Sequence, residues 1–539
     1  MRYSNEMSSA IESPLKAHLA ELKKYICELE TRAERDAHLI IELQRRIELL
    51  EEQFRLSLLK RFTPSNEKYG VQGCLFNEAE QAEQTEPESS EEQEELDEVS
   101  DERVPGKKRG RKKLPDYLPR VRIEHDLSEG EKTCSCCHGK LHRMGEEQTE
   151  QLDIVPAKVQ VLQHVRFKYG CRHCEQHADT CQIITSPIPA QPIPGSIASA
   201  STVATILTAK YADGLPLYRM ESVLERSGIA LDRGTMGRWV IRAGNEWLSR
   251  LYEAMRQTLQ RQDVIHGDET PVQVLKEQGR SAQSTSYMWV YRSTEDCPQP
   301  VVLFEYQPGR GHEHPERFLQ DFAGTLMSDS YAAWRVLKGI TNLGCMAHLR
   351  RRFHDALKAQ KNPSGRAKQA LEFIRKLYQI EKLARGKPPD SKSKHEYTHE
   401  LRQTESRPIM EEFYAWLVKH NAEVLPKSLI GKAISYALGQ WQYMVRYLDD
   451  GRAPIDNNVI ERDIRPFTIG RKNWIFNDTV AGARASSIIY SMMLTCRACQ
   501  VEPYAYLCHV LTELPKRQPE DDISDLLPFN FHKSAVDAS

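Results

Sequence analysis

The sequence predicts a multidomain α+β protein, and three observations carry that expectation. Apolar residues repeat at 4-3-4-3 spacing along the N-terminal segment, the pattern of a long helix with a coiled-coil seam. Two Cys-x2-Cys pairs, Cys134/Cys137 and Cys171/Cys174, stand among short β-type runs, the pattern of a small metal-stapled module. A β-rich stretch over 262–340 is followed by a polar helical stretch over 348–448. A chain of 539 residues is long enough for several cores. It has no apolar run of about 18 residues, so no membrane span is expected, and MRYSNEMSSA lacks the basic flank and apolar stretch of a secretory signal.

The seam runs through Leu15, Leu19, Leu22, Ile26, Leu29, Ala33, Asp36, Ile40, Leu43, Ile47, Leu50 and Phe54. Asp36 breaks the apolar series and is placed to set register or partner number. The regularity favours self-association over packing against the chain's own body. Beyond it, residues 78–102 carry 13 acidic side chains and no Lys or Arg. Such a Glu/Gln/Ser-rich stretch buries too little to fold alone. It also masks a basic remainder behind a formal net charge of −2, and a basic body points to a polyanionic partner. Lys107, Lys108, Arg109, Arg111, Lys112 and Lys113 surround Gly110. This hook suits phosphate contact, or insertion of Arg-Gly-Arg into a narrow A·T minor groove.

Four thiolates at Cys134, Cys137, Cys171 and Cys174 would close one structural tetrahedral Zn²⁺ site. Cys136, His138, His173 and Cys181 remain open as substitutes for the fourth ligand. No thioredoxin-like pattern surrounds either pair, and the remaining cysteines lie mostly far apart, as in a reduced cytosolic protein. After the Pro-rich bridge SPIPAQPIPG, residues from about 197 to 258 turn helical, with helices joined near Ser227-Gly228 and another from about Thr235. That grouping is compatible with a helix-turn-helix or with a plain packing unit. Further on, DVIHGDETPVQVL, SYMWVYRS and VVLFEYQP read as a strand meander, and HPERFLQDFAG and SYAAWRVLKG as helices.

Three acids stand out: Asp268 in HGDET, Asp329 in SDSYAAW and Glu461 in DNNVIERDIRP. The first two are read at the ends of β-type runs. The third is read on a helix that ends before Pro466. Carboxylates from separated segments suit a pair of hard divalent cations about 3.5–4 Å apart. Each also has a plainer use. Asp268 and Glu269 point to opposite faces of a strand, so one of them faces the site and the other caps or pairs. Asp329 is placed to N-cap a helix, and Asn458 and Glu461 have capping-box spacing. Cations gather nearby at Arg350, Arg351 and Arg352 in CMAHLRRRF, and at Arg462, Arg465, Arg471 and Lys472, as where a DNA backbone approaches. His348 is read equally as a phosphate contact and as a packed residue. Trp474 and Phe476 are read as core or as wedges against bases.

The strings KYADGLPLYRME, HGDETPV, CMAHLRRRF, DNNVIERDIRPFTIGRKNWIF and EPYAYL resemble the insertion-sequence-sixty-six family of DDE transposases, in family order up to about residue 510. The resemblance selects Asp268 over Glu269 and implies a catalytic triad of Asp268, Asp329 and Glu461 holding two Mg²⁺ (or Mn²⁺). It implies an RNase H-like α/β core interrupted by a large helical insertion. The expected organisation is then a coiled coil over 1–62, an acidic linker over 63–105, and the basic hook with the zinc-binding module over 106–195. A helical DNA-binding segment follows over 196–258. The catalytic core occupies 259–345 and 449–510, interrupted by the insertion over 346–448, and a tail occupies 511–539. The implied activity is metal-dependent cleavage and strand transfer at the element's terminal inverted repeats. The implied partners are repeat and target DNA, a second copy of the chain, and accessory proteins of the same element, in the bacterial cytoplasm and on the nucleoid when DNA is bound. The rival expectations are a catalytically inactive DNA-binding regulator and a coiled-coil scaffold.

Overall fold

A computed structural model describes residues 3–62, 159–170, 183–359, 365–389 and 391–531. The acidic stretch, the basic run 107–113 and the four expected zinc cysteines lie outside the described residues. The chain divides into two compact units, one formed by Met1–Gln84 with Pro189–Ser539 and the other by Thr85–Ile188. In the second unit, strands β1 (Lys168–Gly170) and β2 (Ile183–Thr185) pair antiparallel, with Tyr169 opposite Ile184. They flank the second cysteine pair in sequence. The preceding residues 159–167, expected as strand, have no regular secondary structure.

The first unit opens with helix α1 (Tyr3–Phe62). Its seam from Leu22 to Phe54 is exposed, with Ile47, Leu50 and Phe54 at 56%, 59% and 62%. A different face, Leu49, Glu52, Arg55 and Leu56, is half-buried against the body. There Glu52 Oε2 accepts from Leu429 N at 3.1 Å.

Helices α2 (Ala200–Tyr211), α3 (Leu217–Arg226) and α4 (Arg233–Arg242) follow. Ser199 and Asp232 cap α2 and α4 by accepting from Thr202 N and Thr235 N. A π-helical segment, Ala243–Leu248, leads into α5 (Ser249–Gln260). Gly244 sits there because a Cβ would lie 2.9 Å from Ala485.

The sheet begins with β3 (Val264–Lys276), β4 (Thr285–Ser293) and β5 (Val302–Gln307), an antiparallel meander as expected. After α6 (Glu313–Phe318), the chain adds β6 (Thr325–Ser328), then α7 (Ala332–Arg335) and β7 (Thr341–Gly344). Strand order is β5-β4-β3-β6-β7, with β3, β6 and β7 parallel. The first half of β3 lies between β4 and β6 and is buried on both faces, as strands at a parallel junction are.

From β7 the chain leaves the sheet for α8 (Met346–Ala359), α9 (Arg366–Ala384), α10 (Lys394–Leu401), α11 (Arg407–Asn421) and α12 (Leu429–Met444). These helices have their own core around Phe353, Ile374, Phe413 and Ala437, which reaches the sheet through Met327 and Leu343. The chain returns as α13 (Asn458–Trp474), β8 (Asn477–Thr479), α14 (Val480–Ala498) and α15 (Pro503–Glu513). On α14, Ser491 and Thr495 hydrogen-bond the backbone of Phe304 and Val302 on edge strand β5. The hydroxyls thereby satisfy edge groups that would otherwise template another strand.

Three sequence expectations are corrected. Asp268 is the fifth residue of a 13-residue strand rather than its end. Helix α13 passes through Pro466 to Trp474. An interior proline costs about 3 kcal/mol, and burial of Val459, Ile460, Ile464 and Phe467 on one helix face offsets it, at about 1.5–3 kcal/mol per large apolar side chain. The segment expected as a tail is packed as far as Phe531, with Leu514, Leu526 and Leu527 buried.

Candidate active site

Strand pairing explains why two distant aspartates meet. The parallel register sets Val264 opposite Thr325, Ile265 opposite Leu326 and His266 opposite Met327. Carried two residues further, it sets Asp268 beside Asp329, which directly follows β6. Glu461 comes from the first turn of α13. Burial pushes the Asp268 carboxyl well above its usual range, and the charges of Glu269, Asp329 and Glu461 push it further. The three acids therefore converge to Coulombic range. Among the described residues no three His, Cys, Asp or Glu side chains lie together at metal-ligating distance.

Each acid has a present partner. Asp268 Oδ1 accepts from Glu269 N at 2.8 Å. Asp329 Oδ1 accepts from Tyr331 N at 2.8 Å, the turn-capping contact its position allowed. Glu461 Oε2 accepts from Arg351 Nη2 at 3.2 Å. Its Oε1 is buried, lacks a hydrogen-bond partner and lies 3.8 Å from His348 Nε2. Burial lowers the pKa of that histidine despite the neighbouring Glu461. The capping box does not form: the N-cap is Asn457, without a side-chain cap, and Asn458 bonds Asp456 instead. Glu461 is thus left for the site.

Glu269 has a different role. Its side chain is 2% exposed and pairs with Arg310, whose Nε lies 2.8 Å from Oε1. Trp334 Nε1 donates to Oε2 at 2.9 Å. Gly267 makes room for that indole, since a Cβ there would lie 2.9 Å from the Trp334 ring. With Glu269 neutralised, the uncompensated carboxylate of the pair is Asp268.

Asn457 was not singled out from sequence, and it ties the two halves of the site together. It is fully buried. Its Nδ2 donates to Gly267 O at 3.1 Å, so its Oδ1 faces His266 Nδ1 at 2.8 Å. A carbonyl can only accept, so His266 Nδ1 carries the proton. Burial holds this imidazole neutral, with a pKa pushed down to about 4. The backbone N–H of Asn457 donates to Cys345 Sγ at 3.2 Å, which gives that buried cysteine a structural task. A second tie is the ion pair of Arg292 on β4 with Asp463 on α13, at 3.0 Å and 10% exposure on each side.

The expected DNA-contacting cations are distributed unevenly. Arg351 pairs with Glu461, Arg462 with Glu295, and Arg352 stacks 3.9 Å from the centroid of Tyr436. Arg471 donates to Pro271 O, while Arg465 and Lys472 are exposed on α13 and Arg350 is half-buried.

The chemistry of the donor set fits hard divalent cations. It comprises a carboxyl pushed toward its neutral form by burial and by other carboxylates, and a buried glutamate oxygen without a hydrogen-bond partner. A cation among them would reverse both penalties.

Comparison with known proteins gives a consistent result. Residues 195–485 match the model of the Transposase IS66 family. Residues 131–175 match the zinc-finger binding domain of transposase IS66, a span that includes all four expected zinc cysteines. Residues 491–529 match the IS66 C-terminal element, and 49–123 match a model described as Transposase C of IS166 homeodomain. The chain belongs to the IS66 family of transposases. Two uncharacterized proteins of Sinorhizobium fredii, y4jD and y4qI, are each 31% identical to it. The first match covers 78% of this chain and 82% of the relative, the second 79% and 78%. The Drosophila P element transposase strand transfer complex aligns over 55% of this chain and 92% of that one, at 11% identity and a TM-score of 0.32. That likeness is too distant to carry a functional statement. No helix among the described residues is long and apolar enough to cross a membrane.

Proposed function

We propose that this protein binds the terminal inverted repeats of its element and catalyses metal-dependent strand cleavage and strand transfer, with Asp268, Asp329 and Glu461 as the acidic triad. The observation that carries the reading is the β3–β6 register, which brings Asp329 beside Asp268 while Glu461 joins them from α13. The order β5-β4-β3-β6-β7, a meander followed by two parallel strands, supports an RNase H-like core, in which helices α8–α12 would be the insertion. Two Mg²⁺ (or Mn²⁺) held by the triad would supply Lewis acidity for in-line displacement at a phosphodiester.

The chain's own residues prepare that site. Asn457 holds the first turn of α13 against β3, which fixes Glu461 relative to Asp268. Arg310 and Trp334 engage both oxygens of Glu269. Arg351 keeps Glu461 paired until DNA and cations arrive, and is then placed to meet phosphate. In cleavage, water attacks phosphorus and the strand leaves with a free 3′-hydroxyl. In transfer, that hydroxyl attacks a target phosphodiester and displaces the target's own 3′ oxygen, with no enzyme-linked intermediate.

The zinc module, with Cys134, Cys137, Cys171 and Cys174 on Zn²⁺, and the basic hook would grip the element's ends. The exposed seam of α1 would pair two copies so that both ends meet. The test is strand transfer on labelled terminal-repeat duplex in Mg²⁺ or Mn²⁺, in EDTA, and with Glu461→Gln. Metal-dependent 3′-end joining that is lost in the variant supports the reading. End binding without joining, even after the element's other products are added, would overturn it in favour of a regulator.

A further inference from the structure

The end of α13 carries an unusual turn. Ile475 has φ 66° and ψ −52°, and Phe476 N donates to Trp474 O at 2.7 Å. This is a three-residue γ-turn of the rare positive-φ form, which is strained. For a β-branched residue such a φ is a genuine outlier. Strain of this kind persists only where the surroundings over-determine it.

The surroundings do so here. Ile475 N donates to Arg471 O at 2.7 Å on the helix side. On the other side, β8 pins Asn477 to Val274 and Thr479 to Lys276. Trp474 anchors the turn, with Lys210 Nζ 4.1 Å over its ring, Tyr211 edge-on to it and Tyr490 tilted against it. What the turn presents is apolar and open, with Ile475 64% and Phe476 42% exposed. The strained turn thus holds an isoleucine and a phenylalanine out of the core.

Its position supplies a reason. Glu461, Arg465, Thr468 and Lys472 are spaced four, three and four apart and share one face of α13. Arg465 and Lys472 are exposed, and Ile469 beside them is 53% exposed. The face therefore runs from the triad glutamate, past two cations, to the apolar tip. Its length from Glu461 to Lys472 is about 17 Å at 1.5 Å per residue. A cationic track ending in a rigid apolar point is complementary to duplex DNA, in which phosphates follow the track and a side chain enters a base step. Such wedges unstack a step and kink the duplex.

We infer that Ile475 and Phe476 form a wedge that unstacks a base step of the DNA flanking the cleavage point. The inference rests on the transposase reading above and deepens it. The test places 2-aminopurine at successive positions of the terminal-repeat duplex and its flank, and records fluorescence on binding of the full chain without divalent cation. The wild type should give a several-fold rise at one step and little elsewhere. Ile475→Gly admits positive φ without strain, so it should fold with an equal or higher Tm, and it should lose that rise. Phe476→Ala should reduce the rise and Phe476→Leu should keep most of it. Strand transfer by Ile475→Gly should fall on fully paired ends and recover on ends mismatched at the unstacked step.

A fluorescence rise unchanged in Ile475→Gly and Phe476→Ala, or no rise in bound wild type, overturns the wedge. Wild-type strand transfer without unstacking removes the wedge and leaves the catalytic reading intact. Wedge-dependent unstacking without strand transfer removes the catalytic reading and leaves the wedge.

Discussion

Asn457→Ala is the substitution that most directly tests how the site is held together. It removes the donor to Gly267 O at 3.1 Å and the acceptor for His266 Nδ1 at 2.8 Å, and it retains the backbone bond to Cys345. Two buried polar groups then lose their partner. Each orphan costs roughly 1–3 kcal/mol, so the loss should be about 2–6 kcal/mol, and each kcal/mol lowers Tm by at most about 2–4 °C in a folding unit this large. The functional cost should be larger than the stability cost. The clamp sets α13 against β3, and a displacement near 1 Å at such a site costs on the order of 100-fold in rate. Strand transfer per folded molecule should therefore fall by about 100-fold while affinity for terminal-repeat DNA changes little. Asn457→Asp separates the two bonds: it can still accept from His266, but it cannot donate to Gly267 O and it adds charge beside Asp268. Thermal unfolding in EDTA and strand transfer in Mg²⁺ are the two assays. A Tm within about 2 °C of wild type together with full transfer would refute the positioning argument. A lowered Tm with unchanged transfer per folded molecule would confine Asn457 to stability.

Asp268→Asn should abolish strand transfer with end binding retained, whereas Glu269→Gln should keep metal-dependent transfer and lower Tm through the loss of charge opposite Arg310; equal loss of chemistry in both would remove the distinction drawn between them. Arg351→Met should raise Mn²⁺ affinity in the absence of DNA, read by calorimetric titration, because Glu461 loses its competing cation; unchanged affinity would show that this half-exposed pair does not restrain the carboxylate. Glu381→Ala should destabilise by about 3–5 kcal/mol, because it strands the guanidinium of Arg402, which is 2% exposed and pairs with Glu381 at 2.7 Å; chemical denaturation within about 1 kcal/mol of wild type would contradict that magnitude. His266 is neutral when folded, with its pKa lowered to about 4. Its contribution is present above the unfolded value of 6.5 and is lost as pH falls toward about 4, at about 1.4 kcal/mol per pH unit. Glu305, raised to about 7 by burial, acts with the opposite sign in the same window, so the test is the difference in acid sensitivity between wild type and His266→Asn, and parallel pH curves would refute the assignment.

Sequence alone determined what depends on local order. The seam spacing marked α1, and the alternation in DVIHGDETPVQVL, SYMWVYRS and VVLFEYQP marked the three strands of the meander. Family strings around Asp268, Asp329 and Glu461 marked the acids that the fold brings together. Local order also misled where a local rule met a tertiary gain. Pro466 signals a helix end, but the apolar face of α13 carries the helix past it. Asn458 and Glu461 have capping-box spacing, but Asp456 takes Asn458 and leaves Glu461 to the site. Tertiary structure decided the pairings across long chain separations, including Asn457 with His266, Arg292 with Asp463, Arg351 with Glu461 and Arg310 with Glu269. These are invisible to periodicity because strand order and register fix them. A single register, Val264 opposite Thr325, sets which aspartate lies beside which. The residues that support the site therefore became legible only once the sheet had placed β3, β6 and α13 side by side.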